Sequence, residues 1–114
     1  MITIVNLHTF KSTDDRERIF YVGRRIKKEG LFFEKGTESI LGNKFFMQTE
    51  ADREIVIKKY KAWIWEEYKK GGEITKEIHR ILEFAKTGDI TLACWCAPKH
   101  CHADVIRSLL EYIM

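Results

Sequence analysis

The chain has 114 residues, 45% of them hydrophobic and 32% charged, with seven phenylalanines and three tryptophans. That composition excludes a disordered or low-complexity chain and suits one soluble globular domain with a sizeable core. Twenty basic against 17 acidic residues leave a net charge of +3, too small an excess to argue nucleic-acid binding by itself.

The opening stretch ITIVNL, residues 2–7, is rich in β-branched residues and predicts a strand. It has neither the basic lead nor the cleavage site of a signal peptide. No run in the chain approaches the roughly 20 apolar residues of a membrane span. KSTDDRE, residues 11–17, reads as a polar connection. RIFYVG, residues 18–23, is a second apolar run that stops at Gly23 and predicts a short buried strand. From Arg24 to Met47 the pattern breaks up into glycines and scattered aromatics. This predicts a long loop, a feature that often carries function in a small domain.

Thr49 is placed to cap a helix, with Glu50 and Asp52 at the positive end of its dipole. Val56, Tyr60, Trp63, Ile64 and Tyr68 run along that helix, and Gly71 and Gly72 end it. A second helix from Glu73 to Lys86 carries an apolar stripe of Ile74, Ile78, Ile81, Leu82 and Ala85, and Gly88 stops it. ITLACW, residues 90–95, predicts a third strand. Val105, Ile106, Leu109, Leu110 and Ile113 mark an amphipathic C-terminal helix. The order predicts a small single α/β domain with a mixed or partly parallel sheet flanked by three helices. In such sheets ligands gather beyond the carboxyl ends of the strands. Two segments lie at such ends here, the Gly23-Arg24 turn and the segment CWCAPKHCH, residues 94–102.

That segment holds all three cysteines and two of the four histidines. An odd, clustered set of cysteines with no export signal argues against a disulfide framework and for reduced thiols in a cytoplasm. If the strand reaches Cys96, alternation puts Cys94 and Cys96 on one face and Trp95 on the other. Pro98 then ends the pairing, Cys101 and His102 start the last helix, and Asp104 fits its first turn.

Several chemistries compete for the segment. Cys94, Cys96, Cys101 and His102 offer a zinc ligand set, but the C-x2-C spacing is absent and adjacent Cys101 and His102 would rarely both reach one metal. No cofactor is therefore favoured, and zinc is the alternative. A cysteine at a helix N-terminus, flanked by histidines and Lys99, is expected to have a lowered pKa. If the domain is an enzyme, Cys101 is its candidate nucleophile and His102 or His100 its base. His100 to Arg107 also matches the H-C-x5-R string of cysteine-dependent phosphatases. The five intervening residues lead straight into a helix, which puts Arg107 nearly two turns away from Cys101. The bland alternative is that the cysteines pack as small hydrophobes.

A turn feeding a helix N-terminus also suits an anion. The expectation is a pocket for an anionic small molecule, nucleotide-like or phosphorylated. Arg24 pairs with the anion, Gly23 and Asn43 shape one wall, and Cys96, Cys101 and His102 form the other. Pure binding and catalysis are not separable at this level. KKYKAWIWEEYKK mixes bases with aromatics, as single-strand nucleic-acid platforms do, but its glutamates and spacing favour an ordinary amphipathic helix. Trp63 and Trp65 on it read as core or interface, His79 as surface or edge, and His8 has no evident partner.

Four stretches carry a family resemblance: VNL (residues 5–7), YVGR (21–24), GNKF (42–45) and LACWCAPKHCHADVI (92–106). In order and spacing the chain resembles the family of domain of unknown function 4326, found in phages and prokaryotes. Lys44 stands where that family usually has proline, and the stretch from Arg24 to Gly42 is longer than usual. The Cys-His block is also similar to the C-x-E…C-H-R segment of the uncharacterised family 488. The resemblance implies the fold and the place of the site but no reaction. It leaves two alternatives to the anion pocket: a structural zinc module, and a phage-type protein that binds a partner through its aromatic helix.

Overall fold

The computed structural model describes residues 1–10, 16–97 and 99–114. Most of the polar connection between the first two strands, and the role expected of Pro98, lie outside the described residues. The regular elements are β1 (Ile2–Asn6), β2 (Ile19–Tyr21), α1 (Arg53–Lys69), α2 (Glu73–Thr87), β3 (Ile90–Cys94) and α3 (His102–Ile113). Short 3-10 turns at Arg16–Arg18 and Glu50–Asp52 lead into β2 and α1. No helix among the described residues is long and apolar enough to cross a membrane.

The sheet has the order β1-β3-β2 and is parallel throughout. β3 follows both outer strands in the chain and inserts between them, pairing Ile2 with Ile90 on one side and Ile19 with Thr91 on the other. A central parallel strand is covered on both faces and reads as a continuous apolar run, which is why ITLAC shows no polar alternation.

Period-two alternation sorts the side chains into two layers. Ile2, Ile4, Phe20, Val22, Ile90, Leu92 and Cys94 face the helices, whereas Val5, Leu7, Tyr21, Ala93 and Trp95 face away from them. On the helical side, Val56, Tyr60 and Ile64 repeat at four residues along α1, and Ile78, Ile81, Leu82 and Ala85 form the buried stripe of α2. Val105, Ile106, Leu109 and Leu110 do the same for α3. Gly71, with φ +73°, lets the chain leave α1 in the left-handed region. Trp63 and Trp65 pack half-buried against this core.

Among the described residues no α-helix covers the other face. The stretch between β2 and α1 covers it, with Leu31, Phe32 and Phe33 packed over Leu7, Tyr21, Ile26 and Ala93. It has no regular strand, as its broken pattern predicts. Ile26 N donates to Thr37 O at 2.8 Å and Gly36 N to Ile26 O at 2.7 Å, which closes the stretch on itself. Burial of Ile26 and Leu41 then ties both ends to the sheet.

Candidate functional site

Because all strands are parallel, Asn6, Tyr21 and Cys94 end at one edge. Two side chains there, Asn6 and Tyr21, brace the turns that follow. Asn6 Nδ2 donates to Trp95 O at 3.2 Å and Ala97 O at 3.0 Å, while its Oδ1 accepts from His8 N at 2.8 Å. The Tyr21 hydroxyl donates to Arg24 O and accepts from Trp95 Nε1 at 2.7 Å. His8 has its partner here, the Trp95 ring, at 4.8 Å between centroids. Gly23 is needed for room: a Cβ would stand 2.5 Å from the Tyr21 hydroxyl oxygen. At Gly42 a Cβ would come within 3.0 Å of Gly23 O, so the two glycine turns pack directly on each other.

Beside these turns lies a cavity of about 400 Å³. Gly23, Arg24, Asn43, Cys96, Cys101 and His102, the six residues expected to bind a ligand, all line it. Arg25, Lys27 and Arg53 join Arg24 as basic lining residues, and among the described residues no Asp or Glu lines it. Phe45, Phe46, Met47, Val56, Ile57 and Trp95 form the apolar wall. Cys94 lies behind this lining in the core, with its Sγ 3.3 Å from Cys101 Sγ. His100 is outside, half exposed, with Nδ1 3.1 Å from a Glu54 carboxylate oxygen. Arg107 pairs with Asp104 at 3.2 Å on the same helix.

The expected anion contacts are partly used within the protein. Arg24 Nε donates to Asn43 O at 2.5 Å and Nη2 to Phe45 O at 2.9 Å, and the guanidinium stacks 3.8 Å from the Phe46 centroid. Two of its five donors are thus spent bracing the Gly-Asn turn. The Asn43 amide oxygen accepts from Phe45 N at 2.9 Å, so it closes its own turn. Lys44, in the place of the family's proline, sets its ammonium 4.8 Å over the Trp63 ring. At the start of α3, Cys101 N donates to Asp104 Oδ2 at 2.8 Å. That carboxylate neutralises part of the positive end of the helix dipole.

Arg53 is the residue that sequence reasoning missed. It sits on the first turn of α1, is 13% exposed, grips Glu50 through two bonds of 2.7 and 3.0 Å, and donates Nη1 to His100 O at 2.9 Å. It therefore links α1 to the turn that carries the thiols. Glu50 holds its pKa above the ordinary arginine value, and the pair reduces the net positive charge that Arg53 offers. A basic residue in a helix's first turn runs against the macrodipole, and that misfit was the available signal.

The thiols reverse one expectation. Cys101 was expected to have a lowered pKa, but it holds its proton far more tightly than an ordinary thiol, because it hydrogen-bonds to Cys94 and Cys96 and is buried. Cys96 is pushed down to about 6, first by the Cys101 hydrogen bond and then by the Arg53 and Arg24 guanidiniums. Cys94 is pushed down to about 7 by Cys101, but no cation is among the causes. The first negative charge of the cluster therefore belongs on Cys96. The strand stops at Cys94, yet Cys96 still packs on the same side of the sheet as Cys94 and opposite Trp95, where it lines the cavity with the arginines. His102 is buried with Nε2 2.5 Å from Val22 O, so this nitrogen carries the proton and donates. Burial lowers its pKa, and its Nε2 is committed to a carbonyl. Among the described residues no group of three or more His, Cys, Asp or Glu is arranged to hold a metal ion.

The family model described as Domain of unknown function (DUF4326) matches residues 5–112. The chain belongs to this family. No curated protein and no solved structure matches the chain. The four stretches that carried the DUF4326 resemblance meet at one place. VNL supplies Asn6, YVGR supplies Tyr21, Gly23 and Arg24, GNKF supplies the turn that Arg24 braces, and the Cys-His block supplies the thiol wall.

Proposed function

We propose that this DUF4326 domain binds a small anionic molecule, nucleotide-like or otherwise phosphorylated, in the cavity at the strand ends. One observation carries the reading: among the described residues, four basic residues, no acidic ones and an aromatic-apolar wall line a single space of about 400 Å³. Ligand sites are typically concave, largely apolar and supplied with a few convergent polar groups. The remaining Arg24 donors, Arg25 and Lys27 receive the anionic group, and Phe46 and Trp95 receive the body of the ligand. Arg53 stays on Glu50 and sets the thiol wall in place. The reading uses no cofactor.

Titration calorimetry with nucleoside phosphates and sugar phosphates, each beside its uncharged parent, tests it. A charge-assisted contact to one arginine contributes about 1.5–3 kcal/mol, so the parents should bind about tenfold more weakly or worse. Raising the salt should weaken the phosphorylated ligands more than the parents. Equal binding of parent and phosphate, or no binding across the panel, contradicts the reading.

A further inference from the structure

We propose that the cavity houses a two-thiol redox centre, with Cys96 attacking and Cys101 resolving, whose substrate is a small anionic disulfide. Its substrate class rests on the anion-site reading; the thiol pair rests on its own geometry.

The three thiols are free and clustered. Cys96 and Cys101 both line the cavity. Cys96 is half-buried, whereas Cys101 is 3% exposed, so an incoming disulfide meets Cys96 first. Arg53 lines the same cavity as Cys96, and its guanidinium favours the thiolate, the attacking form. The turn after β3 closes through Lys99 N to Cys96 O at 2.8 Å and returns Cys101 to the cavity that Cys96 lines. Cys101 Sγ lies 3.3 Å from Cys94 Sγ, and Cys101 shares the cavity wall with Cys96. A buried thiol on the same wall as the attacking sulfur is placed to resolve a mixed disulfide.

The steps balance. Cys96 thiolate attacks one sulfur of the disulfide RSSR; the Cys96 S–SR bond forms, the S–S bond of RSSR breaks, and RS⁻ leaves. Cys101 then attacks Cys96 Sγ, the Cys96–Cys101 bond forms, and the second RS leaves with the Cys101 proton as RSH. Both cysteines are oxidised by two electrons in total, and RSSR is reduced to two thiols. The basic lining residues Arg24, Arg25 and Lys27 favour carboxylate-bearing disulfides.

The test treats reduced full-length protein with the dianionic disulfide of thionitrobenzoate. Wild type should release two thionitrobenzoates per chain, with peptide mapping placing the intramolecular bond between Cys96 and Cys101; a Cys94–Cys101 bond overturns the assignment. Cys96→Ser should slow the first release about tenfold or more. Cys101→Ser, which keeps a good helix-capping residue, should release one and retain the mixed disulfide on Cys96. The rate over that with neutral hydroxyethyl disulfide, normalised to mercaptoethanol, should favour the anionic reagent. A wild-type release rate from Cys96→Ser, a stable mixed disulfide on the wild type, a bond between chains, or no anionic preference overturns the proposal. The wild-type mapping stands even if a variant fails to fold. Phosphorylated ligands that bind in calorimetry without two-thiol release sink the redox centre alone. Two-thiol release without phosphate binding sinks the phosphorylated-ligand reading alone.

Discussion

Cys94 and Cys96 are two residues apart, yet the first ends β3 inside the apolar core and the second lines an open basic cavity. Behind Cys94 the neighbours are aliphatic side chains of the sheet and helices, held by volume and burial. Around Cys96 they are guanidiniums, a second thiol and braced turns, held by directional bonds. The difference separates two kinds of sensitivity. Changes behind Cys94 should lower the stability of the whole fold, and changes around Cys96 should alter chemistry at modest cost in stability.

The largest effect should come from the core side. Leu92 is fully buried on the central strand, and Leu92→Ala should cost about 2–5 kcal/mol in chemical denaturation. A loss under about 1 kcal/mol would mean that the sheet–helix layer is not the main core. Next comes the boundary between the regions. Gly23→Ala forces a Cβ against the Tyr21 hydroxyl and should cost about 1–3 kcal/mol. It should also loosen the bond from Tyr21 to Arg24 O, and so weaken phosphate binding beyond the stability loss. Normal affinity in a folded Gly23→Ala protein would separate the Gly-Arg turn from the site.

The smallest effect concerns His102, which touches both regions. Burial holds its folded pKa below the ordinary value. The unfolded chain takes up that proton near pH 6.5, so below this pH the unfolded state binds more protons than the folded one. The stability is full above pH 6.5 and falls as the pH drops through that window. His102→Gln keeps a donor for Val22 O, and melting curves between pH 7 and 5 should show a shallower fall than wild type. An unchanged slope would assign the acid sensitivity to other groups.

The helices and strands were legible because each carries its own period: four-residue repeats in α1, a clean stripe in α2, and β-branched runs in β1 and β3. The fully parallel order was not, because β3 enters between β1 and β2 only after two helices and a long loop, and no local pattern records that choice. All six expected lining residues could be named because three segments end at strand ends or turns. Which thiol carries the charge could not. It depends on Arg53, whose bond to His100 O spans 47 residues. Asn6 and Tyr21 were read as strand residues, and their bracing of the turns exists only across the sheet edge.

The most direct test follows iodoacetamide labelling of the three thiols by peptide mapping, across pH and with nucleoside monophosphates or their nucleosides present. Cys96 should label first, with a rate that falls as the pH drops through about 6, where its thiolate takes up a proton. The monophosphates should slow that labelling to saturation and the nucleosides should not. Earlier labelling of Cys101 or Cys94, or a Cys96 rate indifferent to every phosphorylated ligand, would contradict an anion site built around Cys96.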